Sequence, residues 1–187
     1  MTTLGLDIST SCTGWCILSG FDGNLHENVN LGFIDLSKEK NTFRKAVLVK
    51  EKLSWLHIKF PIDRVVIEEN LQSFRSGFSS ARTLSTLARF NGIVSYLCYE
   101  EFSITPEFIN VNHARKSLGI KTKRKKDGGA PIKEQIFDWV SSSQEMTKFS
   151  WPTKTLKSGP RRGQNILDPR SYDMADAYVI AKAGQLI

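Results

Sequence analysis

Apolar residues along this chain fall into two rhythms. Short stretches that alternate, or are apolar throughout, occupy residues 3–8, 14–18, 29–36, 64–67 and 107–111, as expected of half-buried or fully buried strands. Residues 9–13 read as a turn, and the Asp22–Gly23 dipeptide as a hairpin leading into the third strand. Residues 64–67 are short and β-branched, which suits a central strand. Elsewhere apolar positions recur every three or four residues. That spacing predicts a helix over 42–58, with Phe43, Ala46, Val47, Val49, Leu53 and Leu56 apolar, and another over 80–99, with Leu84, Leu87, Ala88 and Val94 inward. Two more follow over 130–140, with Pro131 in its first turn, and over 171–184, with Ser171 as its cap. Residues 141–170 contain Pro152, Gly159, Pro160, Gly163 and Pro169 and read as loop. Three hairpin-linked strands followed by strand–helix alternation predict a mixed α/β sheet of about five strands flanked by helices. The length of 187 residues fits one domain.

Composition narrows the class. With 40% hydrophobic and 24% charged residues the chain reads as soluble and globular, and no apolar run has the length of a membrane span. The opening residues lack a basic stretch followed by an apolar run, so export is not expected. Cys12, Cys16 and Cys98 show no metal-site spacing and are expected to be reduced thiols in the cytoplasm. The net charge of +7 is unevenly placed. Between Arg115 and Arg162 there are 13 basic residues and 4 acids, a net of +9, which leaves −2 for the remainder. Such a segment suits a polyanion-facing surface, although a solvated basic segment has the same composition.

Acids at the ends of apolar runs are the candidate chemistry. Asp7 closes the first strand and Glu68 closes Val65–Val66–Ile67; a buried strand has no structural reason to end on a carboxylate unless its charge is balanced. Each alone is equally well a loop or helix cap. Asp173 and Asp176 stand three apart on a helix whose other positions are mostly apolar, so they share a side. Like charges there repel unless a cation intervenes, and carboxylate oxygens suit Mg²⁺. Two acids in a first helical turn also favour the helix dipole, a plainer account of the pair. Taken with the two strand-end acids, a metal site explains more.

These residues together resemble the RuvC family of Holliday-junction resolvases. The resemblance rests on Leu4-Gly5-Leu6-Asp7-Ile8-Ser9 with Thr13-Gly14-Trp15, on Val66-Ile67-Glu68, and on the helix from Ser80-Ala81-Arg82-Thr83-Leu84 to Gly92-Ile93. It continues in Ile132-Lys133-Glu134-Gln135-Ile136 and Asp173-Met174-Ala175-Asp176-Ala177. It spans nearly the whole chain in order and implies the RNase H-like fold. It also implies two Mg²⁺ ions (Mn²⁺ substituting) held by Asp7, Glu68, Asp173 and Asp176, with Asp7 bridging, and Lys133 beside the scissile phosphate. A surface lysine at a helix start is the alternative for Lys133. The activity implied is symmetric phosphodiester hydrolysis in four-way or other branched DNA by a homodimer. The helix at 80–99 is a candidate dimer face, with ordinary core as the alternative.

Two features depart from the family. The loops near 121–129 and 141–170 are longer and more basic than in cellular members. The aromatic expected three residues beyond Glu68 is replaced by Leu71, with Phe74 further on. The compact, Lys-rich form resembles phage-type members, which places it in a bacterial or phage-infected cytoplasm. DNA contacts are expected from Arg115, Lys116, Lys121, Lys123, Arg124, Lys125, Lys126, Arg161, Arg162 and Phe74. Three other readings compete. An RNase H-fold nuclease acting on flaps or RNA shares the acids. An actin-like ATPase needs a second phosphate loop and about twice the length. A non-catalytic DNA-binding module has no use for four acids beside a polyanion.

Overall fold

The computed structural model describes residues 1–20, 28–69 and 81–186. Its main sheet has strands β1 (Thr2–Ile8), β2 (Cys12–Ser19), β3 (Asn28–Asp35), β4 (Arg64–Glu68) and β5 (Glu107–Ile109), in the spatial order β3-β2-β1-β4-β5. The first three pair antiparallel, whereas β4 and β5 join β1 in parallel. Helices α1 (Thr42–Lys59), α2 (Ala81–Phe102), α3 (Val111–Ser117), α4 (Ile132–Ser141) and α5 (Arg170–Gly184) surround it. The mixed five-stranded sheet with flanking helices is the fold expected from the sequence.

Side-chain alternation divides the core between the two faces. Leu4, Leu6, Ile8, Trp15, Ile17, Val65 and Ile67 meet Val49, Leu53 and Leu56 of α1 and Phe90, Val94, Cys98 and Phe102 of α2. On the other face Cys16, Leu18 and Val66 meet α5 and α4. Ten of the 15 residues of α5 are buried, so this helix is embedded rather than laid on the surface. It comes close because the sheet is cleared beneath it. A methyl group on Gly5 would lie 2.5 Å from the Ala177 carbonyl oxygen, and one on Gly14 would overlap the Asp173 backbone.

The structure corrects several expectations. Phe43 and Val47 on α1 are 75% and 55% exposed, so the inward stripe is only Val49, Leu53 and Leu56. On α2, Leu84 and Leu87 are half-buried and Ala88 is exposed; burial begins at Phe90. Val111 opens α3 instead of ending a strand, because the Asn110 side chain accepts from the Asn112 amide and caps the helix. Ser171 does not cap α5. The helix starts at Arg170, the Asp168 carboxylate accepts from the Arg170 amide, and the Ser171 hydroxyl is buried without a hydrogen-bond partner. Residues 141–170 are not simply loop, since β6 (Thr153–Thr155) and β7 (Asn165–Leu167) form a hairpin within them. The turn expected at Asp22–Gly23 lies outside the described residues.

Candidate active site

In the parallel pair β1–β4, Leu6 stands opposite Ile67, so the next pair along is Asp7 and Glu68. Asp7 lies on the same side as Gly5, and Glu68 on the same side as Val66, which touches Gly184 of α5. Both acids therefore face α5, where Asp173 and Asp176 occupy the first two turns. The close seat of the helix on Gly14 brings Asp173 down to the strand ends. All four side chains are half-buried.

Their electrostatics are those of crowded like charges. Burial pushes the Asp7 carboxyl well above the usual carboxylate range, and Glu68, Asp176 and Asp173 push it the same way. Burial likewise raises Glu68, with Asp176 adding to it, and burial raises Asp173 and Asp176. Each acid has found a partner that relieves part of this cost. Asp7 shares a side-chain hydrogen bond with Glu68 that favours the proton on Asp7. The Cys12 thiol, kept protonated chiefly by burial, hydrogen-bonds Asp173. Arg115 Nη2 donates to Asp176 Oδ1 at 3.1 Å. Engaged in these separate pairs, no three Asp, Glu, His or Cys side chains among the described residues are gathered in a metal-holding arrangement. The chemistry of the set nevertheless fits a hard divalent cation. It is all oxygen apart from the thiol, its members disfavour one another's charge, and a cation would lift that penalty.

Lys133, at the start of α4, sets its ammonium 4.8 Å from the Tyr172 ring and favours the charge on Asp173, so it stands at the rim of the acids. The acid-facing cation of α3 is Arg115, whereas Lys116 is exposed and lines a groove with Asn112, Arg115, Lys121 and Ile132. Lys121, Lys123, Arg124, Lys125 and Lys126 are all exposed. Their loop is fastened at its base, because the Gln135 side chain accepts from the Lys123 amide at 2.8 Å and donates to the Lys123 and Ala130 carbonyls. Arg161 and Arg162 are exposed between β6 and β7. Phe74 lies outside the described residues.

The sequence reading missed Cys12, Asp168 and Arg170. Arg170 donates to Asp168 at 2.6 and 2.9 Å and to Asp35 at the end of β3, fixing the first turn of α5 beside the sheet. The Asp168-Pro169 pair ahead of the helix carried that signal, since an acid two residues before a helical amide is a good acceptor for it.

No protein-family model matches the chain, and no curated protein matches it in sequence. Solved structures resemble it in fold. Thermus thermophilus RuvC in complex with a Holliday junction substrate superposes with a TM-score of 0.64, covering 98% of this chain and 92% of that one at 15% identity. Another Thermus thermophilus RuvC structure gives 0.59 at 15% identity and the same coverage. The yeast mitochondrial Holliday junction resolvase gives 0.53 at 17% identity, covering 97% of this chain and 76% of that one. The fold is that of RuvC, the RNase H-like arrangement.

Proposed function

We propose that the protein is a Mg²⁺-dependent, structure-selective endonuclease that resolves Holliday junctions or related branched DNA as a homodimer in the cytoplasm. The features that support this reading are the carboxylates of Asp7 and Glu68 at the ends of β1 and β4 and of Asp173 and Asp176 on α5, with the charge on Asp7 opposed by burial and by the other three, on a fold like that of RuvC. Asp7, Glu68, Asp173 and Asp176 are the residues that would hold the Mg²⁺ ions. Bound there, the ions supply an activated water and stabilise the leaving oxygen. The chain's own cations do the rest. Lys133 and Arg115 offset charge gathering on the phosphate, and holding Asp176 at 3.1 Å also lets Arg115 orient that acid. The exposed basic loop at 121–126, with Arg161 and Arg162, grips phosphates without reading sequence.

A panel of four-way, three-way, flap and linear DNA, incubated with and without Mg²⁺, tests the reading. The expected result is metal-dependent cleavage of branched forms, lost in Asp176→Asn while binding persists. On a cruciform plasmid, paired incision gives linear product; nicked circles alone would replace junction resolution with another RNase H-fold nuclease activity on flaps or RNA. Alanines at Lys121, Lys123, Arg124, Lys125 and Lys126 should weaken binding to all shapes alike, with the log–log salt slope falling by about 0.9 per lost phosphate contact.

A further inference from the structure

The first turns of α4 and α5 meet through aromatic rings. Lys133 and Phe137 stand one turn apart on α4, so they share a side of that helix. Both reach Tyr172, which lies in the first turn of α5 next to Asp173. Phe137 packs edge-on against the Tyr172 ring, with centroids 5.7 Å apart and planes at 75°. Phe137 is backed in turn by Trp151 at 4.7 Å, and Trp151 by Phe149 at 4.9 Å. All four rings are half-buried. At the end of this row the Lys133 ammonium lies over the Tyr172 ring, 4.8 Å from its centroid. Lys133 is exposed, and among the described residues no hydrogen bond or ion pair holds its ammonium, so the ring is what restrains the end of this long side chain.

A carboxylate could hold this ammonium in the same place, but at a chemical cost. It would cancel the charge, and it would add another negative group beside acids that already oppose one another's charge. A ring face attracts the cation through its quadrupole, leaves the charge whole and takes none of the three N–H donors in a conventional hydrogen bond. We propose that Tyr172 is a positioning residue: its ring, propped by Phe137, holds the Lys133 ammonium at the rim of the acids with its donors free for a DNA phosphate. The phenol hydroxyl has no part in this; the ring face alone is what the lysine needs. Trp151 and Phe149 act one step further back, as the packing behind Phe137. The inference rests on the proposed nuclease reading and adds to it the residue that aims Lys133.

Cleavage of four-way DNA in Mg²⁺ tests the inference, using the wild type, Tyr172→Leu, Tyr172→Phe, Lys133→Ala and the double variant Lys133→Ala with Tyr172→Leu. Tyr172→Leu should lower kcat roughly three- to tenfold, the worth of one cation–π contact, with KM changed far less. Tyr172→Phe keeps the ring and should recover kcat. In the Lys133→Ala background Tyr172→Leu should cost nothing more, because no ammonium is left to aim. Damage to the fold or to Asp173 would carry over into that background, so an undiminished loss there overturns the inference. Wild-type kcat in Tyr172→Leu, or no recovery in Tyr172→Phe, overturns it as well. Proton NMR of the DNA-free protein reads the contact without activity. The ring current should move the Lys133 Hε protons upfield, identified by their absence in Lys133→Ala, and Tyr172→Leu should return them to the position of the other exposed lysines. Unshifted protons in the wild type overturn the contact even where branched DNA is cut. A wild type that shows the shift and cuts no branched DNA overturns the nuclease reading, and the positioning role falls with it.

Discussion

The two faces of the sheet are packed by different rules. On the α1 and α2 side, leucines, valines and phenylalanines of ordinary size fill the space, and the helices stand off at a distance set by those side chains. On the α5 side, the sheet presents Gly5 and Gly14 and the helix presents Ala177, Ala181 and Gly184, so backbones nearly touch. Large side chains can adjust by changing rotamer, whereas a backbone carbonyl above a glycine cannot. The face that carries the four carboxylates is thus the one packed backbone against backbone.

The largest effect that separates the faces is chemical. Asp7→Asn keeps the shape of the cluster and removes one charge from it. Cleavage should fall by at least about a hundredfold, the scale at which a single charge-stabilising group acts in an active site. The same change should raise the melting temperature in the presence of chelator, because burial and three neighbouring acids oppose the charge on Asp7. No core substitution on the α1 side should combine lost activity with gained stability. Thermal unfolding in chelator beside a cleavage assay reads both quantities, and a variant that is less stable than wild type would show that the acids are not in conflict.

Steric tests come next. Gly14→Ala drives a methyl group into the Asp173 backbone, with neither element free to retreat. Overpacking of this kind costs about 1–3 kcal/mol, measurable by urea unfolding, and it should also displace Asp173 and reduce cleavage. Unchanged stability would mean that α5 is seated more loosely than its contacts indicate.

Much of this arrangement is legible in the residues, and the parts that are not have physical reasons. The strands follow from short apolar runs, which β1, β2 and β4 bury on both faces, and four of the helices from apolar positions every three or four residues. Helix α3 has seven residues with only Ala114 buried, too few to show that spacing. The inward and outward stripes of α1 are both apolar, and spacing alone cannot say which meets the sheet. The acids stand out as charges at the ends of apolar runs. Their separate pairing, with Cys12, Arg115 and each other, depends on contacts between segments far apart in the chain. So does the tie from Arg170 to Asp35, which lie 135 residues apart.

That tie offers a smaller effect with a pH signature. Asp168 is 3% exposed and accepts from the guanidinium and amide of Arg170, and those hydrogen bonds hold its carboxyl below the usual range. A lowered folded value means stability that is present above the unfolded value, near pH 4, and lost as pH falls through the folded one. Asp168→Asn should therefore cost about 1.5–3 kcal/mol at neutral pH, the worth of hydrogen bonds to a charged group. The gap between variant and wild type should close progressively in more acidic unfolding experiments. A gap that stays constant with pH would assign the loss to packing instead of charge.

The smallest effect runs in the opposite direction and tests the looser face. Gly92 lies on α2, where an added methyl group would meet nothing within 4 Å. Glycine in a helix interior costs roughly 0.5–1 kcal/mol relative to alanine, because the unfolded chain gives up more freedom at that position. Gly92→Ala should therefore stabilise the protein by about that amount, where the same substitution at Gly14 destabilises it. Both variants add one carbon to one glycine, so the difference in sign isolates the space around each. Cleavage by Gly92→Ala should match the wild type, since the residue lies on the face away from α5. Destabilisation by Gly92→Ala would show that α2 is packed against something in solution, and the contrast between a rigid and an accommodating face would have to be redrawn with that contact included.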